Sequence, residues 1–167
     1  MTDTGGFRHG NTSSQTFRVA ADLLELGADN VSINQQILDQ YSLNRFKLIG
    51  FSLYKKLRLV HHNKVAILSM TADELSKFQV KTGDTEGLVN YGLSISGVEL
   101  SVLIIDRTER VKMSFRSKKR FPCNIFAKEN FSGGGHYNAS GGQSELTLEA
   151  TVAKFEKVIE NYKEWLD

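Results

Sequence analysis

The chain has 167 residues, of which 40% are hydrophobic and 24% charged, and its formal net charge at pH 7 is +2. These values are ordinary for a soluble globular protein, and the small net charge argues against a general polyanion binder, so any affinity for phosphate must come from local clusters.

A single cysteine, Cys123, excludes an internal disulfide framework and cannot form a Cys-based zinc site alone, so a packed core thiol is expected. There is neither a signal-peptide pattern at the N terminus nor a run of roughly 18 apolar residues, and we therefore expect a cytoplasmic protein with no membrane contact.

Helices are predicted for the first third of the chain. The motif "TSSQ" at 12–15 has the pattern of a capping box and opens a helix that Gly27 ends. "SINQ" at 32–35 opens a second helix, and a third helix is predicted from about residue 42 to residue 57.

The hydrophobic period changes to that of strands after residue 57. "LRLVHH" and "KVAILSM" predict two strands with a turn near Asn63, and the capping motif at 71–74 predicts a short helix before a glycine-containing loop, "KTGDTEGLVNYG". "GVELSVLIIDR" and "VKMSFRS" predict a hairpin that turns at 108–109. A helix is expected after Pro122, and the apolar stripe over 152–166 predicts a final helix packed on the core.

The strand "VKMSFRS" carries the first candidate site. Side chains alternate along a strand, so Lys112, Ser114 and Arg116 share one face, opposite the apolar one. Arginine suits phosphate because its planar fork donates two parallel charge-assisted hydrogen bonds, and the basic residues 118–120 add positive charge. A solvated strand end is an equally good explanation of this strand taken alone.

The second candidate is "NFSGGGHYNASGGQS", at 130–144, which holds five of the fourteen glycines. The run Gly133, Gly134 and Gly135 would allow consecutive N–H groups to turn toward one anion, while His136 and Ser140 can donate to phosphate oxygens. No Gly-Lys-Ser/Thr follows, as a P-loop requires, and the other three histidines are remote in sequence, which argues against a metal site. We therefore favour an anion cradle over an idle loop.

Asp3-Thr4-Gly5, near the N terminus, has the sequence of the aspartic-protease motif. That chemistry needs an apolar strand before the Asp and a second carboxylate from an equivalent loop or subunit. Only two residues precede Asp3, so the residues alone favour an exposed turn.

Together these segments resemble one family. "GGGHYNASGG" resembles the glycine-rich His signature of the DHH-associated domain, the C-terminal half of DHH-family phosphoesterases, and "VKMSFRS" resembles the strand that carries the family's substrate-binding arginine. "GDTEGLVNYGLSISGVELSVLI" resembles the segment leading into that domain. "MTDTGGFRHGNTSSQTFRVAADLLELGAD" is similar to the end of the catalytic domain. The closest branch is that of nanoRNA-degrading and 3′-phosphoadenosine-5′-phosphate (pAp) phosphatases, which includes exopolyphosphatase-related proteins.

The resemblance implies a fold and a chemistry. The fold is α/β, with a mixed-sheet DHH-associated domain and flanking helices over residues 58–167, an interdomain helix over 41–57 and the end of the catalytic domain over 1–40. The chemistry is that of a phosphoesterase in which two Mn²⁺ ions activate a water, with Asp3 as one metal ligand. The implied substrate-binding residues lie on the strand and in the glycine-rich run: Arg116, Ser114, Ser117, Gly133, Gly134, Gly135, His136 and Ser140.

The family's Asp-x-Asp and Asp-His-His motifs do not occur in this sequence, because Val60 precedes His61 and His62. We therefore expect part of a longer enzyme that binds short RNA or a nucleotide and does not cleave it alone. Two alternatives stay open, a nucleic-acid-binding module without hydrolytic activity and an exopolyphosphatase. The helical segment before residue 58 is a candidate homodimer contact.

Overall fold

The computed structural model describes residues 4–7, 10, 12–38 and 41–166. They form two compact units, Met1–Tyr41 and Ser42–Asp167. Within these described ranges, no helix combines the length and apolar composition needed to cross a membrane. The division of the chain into a catalytic end, an interdomain helix and a substrate-binding domain stays a prediction.

The first unit contains α1 (Ser14–Glu25) and α2 (Asn30–Leu38), as predicted. Both begin at caps other than the predicted ones. At α1, Ser13 Oγ accepts from the Thr16 N–H at 3.3 Å and Thr16 Oγ1 accepts from the Ser13 N–H at 3.1 Å. At α2, Asp29 Oδ1 accepts from the Ser32 N–H at 3.0 Å. The predicted caps at 12–15 and 32–35 are wrong, because the acceptors that reach the N–H three residues ahead belong to Ser13 and Asp29.

The second unit opens with α3 (Leu43–Phe51), which begins at the predicted position because Ser42 Oγ accepts from the Arg45 N–H at 3.1 Å. A π-helical turn at Ser52–Lys56 leads into β1 (Leu57–Val60), which pairs antiparallel with β2 (Val65–Met70). The turn between these two strands contains three consecutive left-handed residues, His61, His62 and Asn63.

Two short helices follow β2. The first, α4 (Ala72–Lys77), has the predicted capping box of Thr71 and Glu74. The second, α5 (Leu88–Leu93), lies where the sequence predicted only a loop, and this prediction was wrong. Helix α5 packs directly on the sheet at Gly92, where a Cβ would lie 2.2 Å from Ser101 Oγ. A glycine that disfavours a helix in isolation is therefore required by the packing of this one.

The remaining elements complete a six-stranded sheet of order β1-β2-β3-β4-β6-β5, in which only the β2–β3 pair is parallel. The predicted hairpin, the helix after Pro122 and the final helix are confirmed. These elements are β3 (Leu100–Asp106), β4 (Val111–Ser117), α6 (Cys123–Asn130), β5 (Gly134–His136), β6 (Ala139–Ser144), α7 (Leu148–Ile159) and a 3₁₀ turn (Glu160–Trp165).

Two apolar clusters lie on opposite faces of the sheet. The larger one joins β2, β3 and β4 to α6 and α7 around five buried phenylalanines: Phe115, Phe121, Phe126, Phe131 and Phe155. The smaller one joins α3, α4 and α5 to β2 and β3 only. The sheet is therefore covered differently on its two faces, and β4 contributes to only one of the clusters.

The fold predicts that residues 42–167 fold without the first unit. Both apolar clusters consist of residues between 48 and 166, whereas α1 buries no residue. A fragment of residues 42–167 should unfold cooperatively at a temperature close to that of the full chain, as measured by circular dichroism. A peptide of residues 1–41 should be largely unfolded, because short helices are marginal in water. Loss of the cooperative transition in the longer fragment would contradict this assignment of the core.

Cys123 is fully buried in the larger cluster, as predicted for a core thiol. Burial raises the pKa of this thiol to about 11. The reactive form of a thiol is the thiolate, so at pH 8 the native protein should react with iodoacetamide far more slowly than the protein unfolded in guanidinium. Mass spectrometry of timed samples measures both rates, and equal rates would show that the thiol is accessible.

Candidate functional site

Strand β4 presents two chemically different faces, as predicted. Val111, Met113 and Phe115 are buried in the larger cluster. The alternate residues point the other way: Lys112 is exposed, and Ser114 and Arg116 are half-buried. The polar residues of this strand therefore lie on the same face of the sheet as the smaller cluster, to which β4 contributes no buried residue. We call this part of the sheet the open face.

The glycine-rich run is a β-hairpin instead of a loop. Strand β5 pairs with β6, and β6 pairs with β4. Two glycines are required by this pairing: a Cβ on Gly133 would lie 2.1 Å from the Gly141 carbonyl oxygen, and one on Gly135, at φ +142°, would lie 2.7 Å from that of Ala139. The Gly133 N–H donates to the Ala127 carbonyl oxygen at 3.2 Å, and successive N–H groups of β5 point to opposite edges, so the predicted cradle of three consecutive N–H groups does not form.

The strand register places two of the predicted residues in one row. Arg116 is opposite Ala139, and Ala139 is opposite His136. Directly opposed residues point to the same face, so Arg116 and His136 share the open face with their Cα atoms about 10 Å apart, which is two strand spacings. His136 is exposed.

The neighbouring row forms a floor almost without side chains. Ser114 is opposite Gly141, which is opposite Gly134. A Cβ added at Gly134 would have no atom within 4 Å, so the space above this glycine is open. The floor between Arg116 and His136 is therefore backbone plus the methyl group of Ala139.

Ser117 and Ser140 lie on the other face and do not join this group. Ser117 is buried, its Oγ donates to the Phe121 carbonyl oxygen at 2.7 Å, and it accepts from Asn138 Nδ2 at 2.8 Å. Ser140 is also buried, and its Oγ donates to the His136 carbonyl oxygen at 3.0 Å. Both hydroxyls stabilise the hairpin and the end of β4, which corrects their assignment to the binding surface.

A groove of about 490 Å³ runs between α5 and β4, with Ser114 and Arg116 on one wall and Gly87 and Val89 on the other. Arg116 Nη1 donates to the Phe115 carbonyl oxygen at 2.9 Å. Glu86 also lines this groove, but across the described part of the chain no carboxylate lies within 4.0 Å of the Arg116 guanidinium. In contrast, Lys119, predicted to add charge here, forms an ion pair with Glu99 at 3.2 Å.

The predicted metal ligand, Asp3, lies outside the described residues. Among those that are described, no three His, Cys, Asp or Glu side chains lie together in a way that could hold a metal ion. The two Mn²⁺ ions and the role of Asp3 stay predictions.

Comparison with known proteins identifies the family of this chain. Residues 62–167 match the model of the DHHA1 domain. The chain is 30% identical over 139 residues to the bifunctional oligoribonuclease and PAP phosphatase NrnA of Bacillus subtilis, covering 83% of this chain and 43% of that protein. It is also 30% identical over 167 residues to the NrnA protein of Thermus thermophilus, covering 99% and 48%. The crystal structure of an exopolyphosphatase-related protein from Bacteroides fragilis superposes with a TM-score of 0.94 at 40% identity, covering 99% and 48%.

The chain belongs to the DHHA1 domain family, and it corresponds to the C-terminal part of DHH-family phosphoesterases. It spans about half the length of these relatives. The mixed-sheet α/β fold expected from the resemblance is confirmed.

The sequence pattern places Lys112 on the polar face of β4, but Lys112 was not among the predicted binding residues, and neither were Ala139 and Gly141. Lys112 shares the alternation of Ser114 and Arg116, so the strand pattern was sufficient to include it. Ala139 and Gly141 could be placed only once the glycine-rich run was known to be a strand paired with β4.

Gly133, just before β5, and Gly134, its first residue, should respond differently to alanine. The Gly133→Ala change introduces a Cβ that overlaps a backbone carbonyl, so we expect a loss of about 1–3 kcal/mol in the free energy of unfolding. Gly134→Ala, the matched control, meets no atom within 4 Å and should leave stability close to that of the parent. Urea unfolding of both variants measures the difference, and equal stabilities would contradict the close approach of the two strands.

Proposed function

We propose that this chain is the substrate-binding part of a metal-dependent phosphoesterase that hydrolyses short oligoribonucleotides or pAp. Its membership of the DHHA1 family and its similarity to proteins named as oligoribonucleases and PAP phosphatases support this class of substrate. The observation that carries the proposal is the row of Arg116, Ala139 and His136 on the open face of the sheet.

A terminal phosphate of the substrate binds above Ala139, between Arg116 and His136. The guanidinium donates two parallel hydrogen bonds to phosphate oxygens, and His136 donates a third from the opposite side. The Ser114 hydroxyl, one row along, is a further donor. The methyl group of Ala139 is small enough to let the phosphate lie close to the sheet.

The nucleoside lies over the floor formed by Gly134 and Gly141. Peptide planes without side chains give a flat surface of the kind that a planar base can cover, and the absence of a Cβ permits close approach. An inorganic polyphosphate has no group for this floor, so a nucleotide is the better match to the site than the exopolyphosphatase alternative.

Hydrolysis belongs to the longer protein in this proposal. Two Mn²⁺ ions, with Asp3 among their ligands, would supply the activated water there. The described residues of this chain supply binding and orientation, because they bring together hydrogen-bond donors for phosphate and no cluster of metal ligands.

Calorimetric titration of the full chain with pAp, without added metal, tests the phosphate site. Arg116→Ala should weaken binding by at least about tenfold, because hydrogen bonds to a charged group contribute about 1.5–3 kcal/mol each. Arg58→Ala is the matched control, since Arg58 lies on β1 and is paired with Glu156 at 2.7 Å. It removes the same charge at the far edge of the sheet and should bind like the parent. Absence of heat with the parent chain, or equal affinities in both variants, would overturn the proposal.

A further inference from the structure

A second basic groove lies at the other end of the open face of β4. It has a volume of about 730 Å³ and surrounds the β3–β4 turn. Four cationic side chains and two carboxylates line it: Lys81, Arg107, Arg110, Lys112, Glu86 and Glu109. Arg107 and Lys112 also line the groove that contains Arg116, so the two grooves are continuous.

The two arginines of this groove are held in place without being neutralised. Arg107 Nη2 donates to Thr85 Oγ1 at 3.0 Å, and Arg110 Nη1 donates to Gln143 Oε1 at 3.0 Å. Both acceptors are uncharged, and each bond uses one of the five donors of a guanidinium. Among the described residues, no carboxylate lies within 4.0 Å of Arg107, Arg110 or Lys112, and Glu86 and Glu109 leave the groove with a positive balance.

These cations lie in line with Arg116. Alternate residues of a strand are about 6.7 Å apart on one face, so Lys112 is about 13 Å from Arg116 along β4, with Ser114 midway. Gln143, which holds Arg110, is opposite Lys112 on β6 and therefore shares its face. A ligand on the open face can follow β4 from Arg116 to the turn and meet polar side chains throughout.

We propose that Arg107, Arg110 and Lys112 form a second phosphate subsite, which binds an internal phosphodiester of an oligonucleotide whose terminal phosphate lies at Arg116. This subsite rests on the proposed function, since it takes Arg116 as its starting point. Stacked nucleotides of one strand advance about 3.4 Å each, so about four are needed to cover 13 Å, and fewer if the strand is extended. A mononucleotide such as pAp fills the Arg116 site and does not reach the turn.

The experiment compares a pentaribonucleotide with pAp as ligands of the full chain, by calorimetry without added metal. In the double variant Arg107→Ala/Arg110→Ala, affinity for the pentanucleotide should fall by at least about tenfold. Affinity for pAp should stay within about twofold of the parent value. The dependence of pentanucleotide affinity on salt should also weaken, because fewer phosphate contacts release fewer counterions.

The control is Arg58→Ala/Lys157→Ala, which removes two positive charges from β1 and α7. If it weakens pentanucleotide binding as much as the double variant does, the effect is one of net charge and the subsite is overturned. The subsite is also overturned if the double variant binds the pentanucleotide like the parent while Arg116→Ala still loses pAp. Failure of the parent chain to bind pAp instead overturns the proposed function itself. Long-chain polyphosphate is titrated in parallel. If the double variant loses affinity for polyphosphate and not for the pentanucleotide, the assignment of the subsite to oligonucleotides is overturned.

Discussion

The burial of Phe115 determines which face of β4 packs on the core, and therefore on which face of the sheet the Arg116 guanidinium lies. Its ring centroid is 5.5 Å from that of Phe126, 5.8 Å from that of Phe131 and 6.4 Å from that of Phe155. A slip of β4 by one residue would expose this ring and place the Arg116 guanidinium among the aromatic rings, where an unpaired charge is very costly. The core on one face of the sheet thus fixes the position of the cations on the other.

The same aromatic cluster controls the second strand of the site. A Cβ on Gly142 of β6 would lie 3.0 Å from the Cβ of Phe131 and 3.2 Å from the ring of Phe115, so β6 lies directly against these rings. The floor beneath the proposed ligand is therefore backbone held by packing from below. A surface of this kind loses little entropy when a ligand binds, because it has few side chains to immobilise.

The parts of the fold with a regular hydrophobic pattern were predictable from sequence, and the two faces of β4 are the best example. Strands β5 and β6 were not, because a run of glycines has no side chains to alternate and glycine disfavours strands in isolation. Helix α5 was missed for a similar reason, since it has only six residues, begins after Gly87 and contains Gly92. Ser117 was misplaced because a residue adjacent to Arg116 in sequence must point to the opposite face.

The outer strands of the sheet are short, and this limits self-association. Strand β5 has three residues and β1 has four, so each edge offers few unpaired N–H and C=O groups to a strand of another molecule. On β1, Arg58 adds a charge that a pairing strand would have to accommodate. The geometry that would allow one sheet to continue into the next is therefore confined to a few residues at each edge.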